Sequence, residues 1–179
     1  VHDLSPMLFP ELHTKQNRAL FERKMRYVLE QKQTIIAVSE HTKHDLIEKL
    51  DIPAQRIHVV YNAADARFHP ICDRNEIMQV MHKYGLKESG YILYVGTLEP
   101  RKNLVRLIEA YAAMLDQCGD DTPLLVLVGS KGWLYQDIIY SVERLGLQQK
   151  IIFTGFVGDE DLPAIYNNAL FFVYPSLYE

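Results

Sequence analysis

The chain has 179 residues, of which 48% are hydrophobic and 23% are charged. This length and composition are typical of a soluble globular protein with one domain, or one domain and part of another. The formal net charge of −4 gives no general basic field and no local basic patch stands out, so nucleic acid is excluded from the expected partners.

Cysteine usage and the start of the chain indicate the compartment. Cys72 and Cys118 are too few and too scattered for a disulfide framework or a zinc site, which fits the reducing cytosol. The first residues lack the basic start and the apolar core of a signal peptide. No apolar run approaches the roughly 20 residues of a membrane span. We therefore expect a cytoplasmic location.

A helical segment around residues 18–28 mixes apolar and basic side chains. Such a pattern usually belongs to a helix with one packed face and one solvated face. A role at a membrane surface is the weaker alternative, because basic amphipathic helices also bind anionic bilayers.

The next elements predict the end of an α/β domain. Residues 34–38 form a short apolar run, and Ser39 follows as the N-cap of a helix that ends at Pro53. Residues 56–60 are the next strand candidate. Residues 61–70 show no hydrophobic period and predict a connecting segment, so we place a domain boundary there.

Beyond the boundary, helical and strand patterns alternate regularly. Residues 77–84 have helical spacing, residues 104–115 give a strong amphipathic signal, and residues 133–145 and 159–169 give weaker ones. Four nearly all-apolar runs are typical of parallel strands covered on both faces, namely 91–95, 124–128, 151–153 and 170–174. This order predicts an α/β fold, a Rossmann-like doubly wound parallel sheet, with ligands at the carboxyl ends of the strands.

The loop after the strand at residues 91–95 reads Gly-Thr-Leu-Glu-Pro-Arg-Lys-Asn. Gly96 lets the backbone turn off the strand, and Arg101 and Lys102 place two cations where the next helix begins. Because free N–H groups point outward there, such a site suits a diphosphate. The glycines of the dinucleotide fingerprint and of the P-loop are missing. A solvated basic turn is an equally good interpretation of these residues alone.

Seven segments, taken in order, resemble the motifs of the retaining group 1 glycosyltransferases with the GT-B fold. A single match would carry little weight, but the ordered series covers essentially the whole chain. The segments are Val-His-Asp-Leu-Ser-Pro (1–6), Ile-Ala-Val-Ser-Glu (36–40), Val-Tyr-Asn-Ala-Ala-Asp (60–65), Val-Gly-Thr-Leu-Glu-Pro-Arg-Lys-Asn (95–103), Leu-Val-Gly-Ser-Lys-Gly-Trp (127–133), Phe-Thr-Gly-Phe-Val (153–157) and Tyr-Pro-Ser-Leu-Tyr-Glu (174–179).

The resemblance implies two facing Rossmann-like domains, one for the acceptor and one for a nucleotide sugar. Residues 1–70 would be the C-terminal part of the acceptor domain with the interdomain linker, and residues 71–179 a truncated nucleotide-sugar-binding domain. Glu179 resembles the first of two glutamates spaced eight residues apart in the family. A chain of this extent is therefore expected to be inactive by itself.

The implied reaction is transfer of a hexose from a nucleoside diphosphate sugar to a glycan or lipid-linked acceptor, with retention at the anomeric carbon. GDP-mannose is the favoured donor and a UDP-sugar is the alternative. No metal and no other cofactor is implied, because cations stand where the departing diphosphate needs them. The enzyme would work in the cytoplasm, with the inner membrane surface and a peripheral membrane contact as a further option.

The resemblance also assigns the residues of the donor site. Lys102 matches the family's diphosphate-binding lysine, and Gly96 begins the same loop. Thr97 stands where many members have an arginine, so the second cation is assigned to Arg101. The loop residues expected near the donor nucleotide are Gly129, Lys131 and Phe156.

Two residues are implied as catalytic. Glu179 would accept hydrogen bonds from donor sugar hydroxyls, and His2 would lie near the transferred sugar, although it is also readable as an ordinary terminal histidine. His41 and His44 have a spacing that suits a metal, but no third ligand accompanies them. Two other function classes stay open: a GT-B sugar-nucleotide epimerase or phosphorylase, and a non-catalytic nucleotide-binding fragment.

Overall fold

A computed structural model describes all 179 residues and divides the chain into two units. Unit 1 consists of Val1–Ala64 together with Tyr178–Glu179, and unit 2 consists of Asp65–Leu177. The division falls a few residues before the predicted boundary at residue 70. The terminal dipeptide, which the sequence grouped with the second domain, lies in unit 1.

Unit 1 packs three helices around a two-stranded parallel sheet. The helices are α1 (Ser5–Leu8), α2 (Lys15–Glu30) and α3 (Glu40–Leu50), and the strands are β1 (Ile35–Ala37) and β2 (Ile57–Val59). Its core consists of seven buried residues: Leu4, Met25, Ile35, Ala37, Leu46, Ile52 and Ile57. None of the helices in either unit is both long and apolar enough to cross a membrane.

Local side-chain chemistry sets the ends of α3. Ser39 Oγ accepts a hydrogen bond from Thr42 N at 3.0 Å, as expected of the predicted N-cap. The helix ends at Leu50 because Asp51 adopts the left-handed conformation, which an aspartate tolerates better than most residues. The predicted end at Pro53 is therefore three residues beyond the last helical residue.

Unit 2 alternates four helices with four strands. The helices are α4 (Arg74–Lys83), α5 (Leu104–Cys118), α6 (Gln136–Arg144) and α7 (Leu162–Asn167). The strands are β3 (Tyr91–Val95), β4 (Leu125–Val128), β5 (Ile151–Gly155) and β6 (Ala169–Phe172). They form one parallel sheet in the order β5-β4-β3-β6.

Helices cover both faces of this sheet, as expected of a doubly wound fold. Ile92 and Tyr94 belong to the core cluster that contains side chains of α5 and α6. Tyr91 and Leu93, on the opposite face of the same strand, belong to the cluster that contains side chains of α4 and α7. Because successive strand residues point to opposite faces, β3 contributes equally to the two layers.

Strand β6 differs from the prediction, which expected a buried strand. Leu170, Phe171 and Phe172 are 56%, 49% and 45% exposed. The strand pairs only with β3 and forms an edge of the sheet. A continuous apolar run indicates a strand but does not distinguish a central position from an edge.

The strand order reverses at β3. Strands β4 and β5 extend the sheet on one side of β3, and β6 lies on the other side. In open α/β sheets, ligands bind outside the carboxyl ends of the strands at such a switch point. A ligand is therefore expected at the loops that follow β3 and β6.

Candidate active site

The loops that follow β3, β4 and β5 are hydrogen-bonded to one another. Gly96 N donates to Val128 O at 2.9 Å, and Gly129 N donates to Gly155 O at 2.9 Å. These bonds leave no room for side chains at the crossing. A Cβ on Gly129, which has a φ of 143°, would overlap with the carbonyl oxygen of Gly96. The backbone itself therefore forms the floor of this edge of the sheet.

The loop after β4 is tied to the loop after β3 at a second point. Gly132 N donates to Leu98 O at 3.0 Å, and a Cβ on Gly132 would come within 2.6 Å of Thr97 Cγ2. Trp133 follows directly in the chain. The two loops thus form one hydrogen-bonded structure.

A pocket of about 300 Å³ opens over this floor. Four of the predicted donor-site residues line it: Gly96, Thr97, Gly129 and Phe156. The Phe156 side chain is 72% exposed. The structure therefore brings together residues that are up to 60 positions apart in the chain, as the carboxyl-end rule predicts.

Lys131 lies outside this pocket. Its ammonium nitrogen is 5.2 Å from the centroid of the Tyr135 ring. It lines a separate pocket of about 310 Å³ against α6. The sequence therefore groups Lys131 with the donor loop, whereas its side chain faces the neighbouring surface.

Lys102 is largely buried, with 6% of its surface exposed. It ends a short 3₁₀ turn, Pro100–Lys102, directly before α5. Its Nζ donates to Tyr174 Oη at 2.5 Å and lies 4.7 Å from the centroid of that ring. A solvated basic turn would leave the ammonium in water, where lysine is found by default. The burial of Lys102 therefore argues against that interpretation.

Arg101 is engaged within its own loop. Its Nη2 lies 2.9 Å from Glu99 Oε1, and the two side chains are 11% and 3% exposed. The guanidinium charge is thus compensated by a buried carboxylate. The sequence placed Arg101 beside Lys102 as a second cation, and the structure adds that Arg101 pairs with Glu99.

The segment after β6 is fastened to the turn that carries Lys102. Asn103 Nδ2 donates to Pro175 O at 3.2 Å, and Leu177 N donates to Arg101 O at 3.0 Å. These bonds bridge the two sides of the switch point, so the loops after β3 and β6 form one surface.

In unit 1, helix α3 holds the two segments that carry the predicted catalytic residues. Thr42 Oγ1 donates to the carbonyl oxygen of His2 at 2.8 Å. One turn further along the helix, Asp45 Oδ2 accepts a hydrogen bond from Tyr178 Oη, and Tyr178 immediately precedes Glu179. The side chains of His2 and Glu179 themselves are exposed.

The Tyr178 ring is enclosed as well as hydrogen-bonded. Its centroid lies 5.4 Å from those of both Phe9 and His41. Burial, together with the hydrogen bond to Asp45, raises the pKa of the Tyr178 hydroxyl well above its usual value. Tyr178 therefore stays a neutral hydrogen-bond donor across the physiological pH range.

The two histidines with metal-like spacing pair with carboxylates of the same helix. His41 Nε2 lies 3.4 Å from Asp45 Oδ2, and His44 Nε2 lies 3.2 Å from Glu48 Oε1. No group of three or more His, Cys, Asp or Glu side chains in the chain is arranged to hold a metal ion.

Comparison with known families identifies the chain. Residues 77–179 match the family described as Glycosyl transferases group 1, and residues 1–68 match Glycosyltransferase Family 4. The chain belongs to the group 1 glycosyltransferases. The ordered motifs of this glycosyltransferase sequence therefore reflect true family membership.

Relatives of this glycosyltransferase include several mannosyltransferases. The O-antigen chain mannosyltransferase B of Escherichia coli is 35% identical over 99% of this chain and 46% of its own length. The mannosylfructose-phosphate synthase of Agrobacterium fabrum is 30% identical over 81% of this chain and 33% of its own length. The chain thus spans less than half the length of these curated relatives.

Solved structures agree on the fold of this glycosyltransferase chain. Anabaena Alr3699/HepE in complex with UDP and glucose superposes with a TM-score of 0.72 at 23% identity, over 98% of this chain and 45% of that one. WaaG, a glycosyltransferase involved in lipopolysaccharide biosynthesis, gives 0.65 at 21% identity, over 79% and 38%. The predicted Rossmann-like fold of a GT-B enzyme is therefore confirmed.

Sequence reasoning gave no role to Tyr174 or Tyr178, although both stand in a quoted motif of this glycosyltransferase. The signal for Tyr174 was its place directly after the last strand, opposite the lysine loop at the switch point. For Tyr178 no local signal exists, because its partner Asp45 is 133 residues away.

Proposed function

We propose that the enzyme carrying this chain is a retaining glycosyltransferase that moves a hexose from a nucleoside diphosphate sugar to a glycan or lipid-linked acceptor. One observation carries the proposal: the buried ammonium of Lys102 stands at the start of α5, on the rim of the switch point. Lysine is rarely fully buried unless it is paired. In this proposal the diphosphate of the donor is an anion that the ammonium contacts.

The chemistry of the transfer requires this cation. The bond between the anomeric carbon and a phosphate oxygen breaks, and the departing diphosphate takes the bonding electrons and gains negative charge. The Lys102 ammonium and the free N–H groups at the start of α5 stabilise that charge. We assign the second cation to Arg101, which contacts the diphosphate in this proposal by leaving Glu99. No metal is needed in this scheme.

The neighbouring pocket suits the rest of the donor. Its glycine floor, formed by Gly96 and Gly129, allows close approach of a ligand to the backbone. Phe156 offers an exposed aromatic ring on which a nucleobase can pack. A volume of about 300 Å³ is at the lower end of small-molecule sites. We assign the nucleotide to this pocket, with Thr97 at its wall, and Lys131 in the same loop as Gly129 contacts the nucleotide only if its side chain turns away from α6.

In this proposal two residues of unit 1 act on the sugar. Glu179 accepts hydrogen bonds from hydroxyl groups of the donor sugar, and His2 lies near the transferred sugar. The attachment of both segments to α3, through Thr42 and Asp45, supports a common role.

GDP-mannose is our favoured donor, and the acceptor is a growing polysaccharide or its lipid-linked precursor. The support is the set of relatives that are named mannosyltransferases, including one named for the O-antigen chain. A UDP-sugar is the alternative, since the similar Alr3699/HepE structure holds UDP and glucose.

The test is a direct assay of the intact enzyme. Labelled GDP-mannose and UDP-glucose are offered with a polysaccharide acceptor, and the anomeric configuration of the product is determined by NMR. We expect mannosyl transfer with retention, and a rate on the order of 10² to 10³ lower for Lys102→Ala. Lys150→Ala is the control, because this lysine pairs with Asp120 at the amino end of β5. Donor epimerisation, phosphorolysis or an inverted product would overturn the proposal.

We also infer that the enzyme works in the cytoplasm and touches the inner membrane surface through α2. Leu20 and Tyr27 are 43% and 58% exposed on this helix. Arg23, Lys24 and Tyr27 line an almost wholly apolar recess there. Apolar side chains flanked by cations suit an anionic bilayer.

Vesicle sedimentation tests this contact. The intact enzyme is expected to bind vesicles with anionic headgroups more than neutral ones, and less at high salt because exposed charges are screened. The double variant R23E/K24E should lose that binding and keep transferase activity on a water-soluble acceptor. Equal binding to neutral and anionic vesicles would refute the contact.

A further inference from the structure

We propose that Tyr174 is a positioning residue that holds the Lys102 ammonium where the diphosphate departs. The proposal rests on the transferase function argued above and adds a residue to it. Tyr174 follows β6, whereas Lys102 follows β3, so the pair spans the two strands on either side of the switch point.

A hydrogen bond from a charged donor fixes the ammonium. Lys102 Nζ donates to Tyr174 Oη at 2.5 Å and lies at the hydroxyl end of the ring, 4.7 Å from its centroid. A hydrogen bond from a cation is stronger than a neutral one. It restricts a side chain that otherwise has a flexible four-carbon stem.

The ring is itself held in place by its neighbours. Tyr174 stacks on Tyr94 and on Phe172 with centroid separations of 5.8 Å in both cases and interplanar angles of 13° and 20°. Tyr94 Oη in turn donates to Thr97 O at 3.1 Å. The stack therefore connects the phosphate loop to the end of β6.

Gly96 makes space for this arrangement. A Cβ at this position would come within 2.6 Å of Tyr94 Oη and 3.6 Å of Tyr174 Cε2. The hydrogen bonds from the Asn103 side chain to Pro175 O and from Leu177 N to Arg101 O fasten the Tyr174 segment to the Lys102 turn. Ring, loop and lysine thus hold one another in place through contacts within the chain.

This order has a catalytic consequence. A free lysine must lose rotamer freedom when it meets the diphosphate, and that loss reduces the stabilisation it can give. A lysine already held by Tyr174 meets the developing charge in place, as preorganised electrostatic catalysis requires. The Tyr174 hydroxyl therefore acts on the reaction only through Lys102.

A double-mutant cycle in the intact enzyme tests this. Tyr174→Phe keeps the stacked ring and removes the hydroxyl. We expect it to lower kcat about tenfold, as for a hydrogen bond to a charged group, with a smaller change in the KM for the donor. In the Lys102→Ala background the same substitution should change kcat by less than about twofold, because the group on which it acts is gone.

The matched control is Tyr84→Phe. The Tyr84 hydroxyl also donates to a charged partner, Asp161, at 2.8 Å in unit 2, and Asp161 is not one of the residues to which we assign a role in the reaction. Its kinetics should match those of the unchanged enzyme. Thermal melting of each variant separates a loss of folding from a loss of positioning.

The outcomes distinguish this proposal from the proposed function. If Lys102→Ala is active and only Tyr174→Phe is impaired, the assignment of the diphosphate site fails. If Lys102→Ala is impaired and Tyr174→Phe is not, only the positioning role fails. An equal loss from Tyr174→Phe in both backgrounds would show that Tyr174 acts independently of Lys102.

Discussion

At the scale of single residues, Lys102 and Arg101 are neighbours in sequence with unlike surroundings. Lys102 meets a phenol, whereas Arg101 meets the carboxylate of Glu99. The Glu99 carboxylate offsets the guanidinium charge of Arg101, whereas the Tyr174 hydroxyl carries no charge of its own. The two cations should therefore respond differently to substitution.

For Lys102, the shape of the charged group can be tested. Lys102→Arg keeps the positive charge but replaces a compact ammonium by a planar fork. We expect it to recover only part of the rate lost in Lys102→Ala, with the deficit in kcat rather than in KM. Steady-state kinetics of the intact enzyme with a varied donor decide this. Full activity of the arginine variant would mean that charge alone is sufficient.

For Arg101, removal of the side chain breaks the ion pair with Glu99, and both side chains of this pair are largely buried. Breaking a buried pair by removing one member commonly costs about 3–5 kcal/mol, and a lower value is expected here because Arg101 is partly exposed. Arg101→Ala should thus lower the melting temperature of the enzyme more than Lys102→Ala does. It should lower kcat less, unless Arg101 leaves Glu99 to meet the diphosphate.

Gly129 is required because a larger residue would not fit at this position, and not because it takes part in the reaction. Gly129→Ala would push a methyl group against the Gly96 carbonyl and strain a φ of 143°. Overpacking of this kind costs about 1–3 kcal/mol. We expect a lower melting temperature together with weaker donor binding. Gly158→Ala is the control, because its Cβ would meet only the flexible end of Glu160.

At the scale of elements, α3 acts as an anchor for two distant segments. Tyr178→Phe removes the hydroxyl that binds Asp45, while the ring contacts with Phe9 and His41 are kept. If this bond positions Glu179, kcat of the intact enzyme should fall and its melting temperature should change little. Unchanged kinetics would limit Tyr178 to a packing role.

Helices α4 and α7 are joined by a polar contact that responds to acid. Lys83 Nζ and Tyr84 Oη both bind Asp161 Oδ2, at 2.6 and 2.8 Å. The hydrogen bond from Lys83 is the main reason why the pKa of Asp161 is lowered. Since the folded pKa lies below the unfolded one, the stabilisation is present above an ordinary aspartate pKa of about 3.9 and is lost as pH falls through the lowered value.

Asp161→Asn tests that dependence. The variant should show a flatter decline of melting temperature than the unchanged protein as pH falls below about 4. The difference will be small, because Lys83 is exposed and the pair is screened by solvent. Identical slopes would show that other carboxylates dominate acid unfolding.

Much of the fold was predictable because hydrophobic residues recur at regular spacing along its strands and helices. The runs at 91–95 and 124–128 are buried on both faces, and the stripe at 104–115 coincides with the buried side of α5. Strand β6 could not be placed in the sheet, since burial depends on neighbours that sequence does not identify. The end of α3 was missed because a left-handed aspartate is unusual.

The candidate site was predictable in part for a similar reason. Ligands bind at the carboxyl ends of parallel strands, and this rule requires only that a residue follow a strand. It therefore grouped Gly96, Thr97, Gly129 and Phe156, which line one pocket in the structure. The direction of a side chain is not predictable from sequence. Lys131 was therefore grouped with the donor loop, although its side chain lies against α6. The partners Glu99 for Arg101 and Tyr174 for Lys102 also required coordinates, since charge patterns do not show which groups meet.

At the scale of the whole molecule, the enzyme should work without a divalent metal. Cations of the chain already stand at the phosphate site, so we expect the activity of the intact enzyme to survive EDTA. The assay compares rates before and after chelation and after readdition of Mn²⁺. Abolition by EDTA with rescue by Mn²⁺ would place the enzyme in another mechanistic class.

The hydrogen bond between Gly132 and Leu98 also links the donor loop to a residue next to the tryptophan of this chain, whose fluorescence can be measured. Trp133 is the single tryptophan among the 179 residues, and it directly follows Gly132, whose backbone is bonded to the loop that the donor is proposed to contact. We expect a donor that shifts this loop to change the emission of the indole. Fluorescence of the intact enzyme, corrected with a Trp133→Phe variant, would then report donor binding without a label.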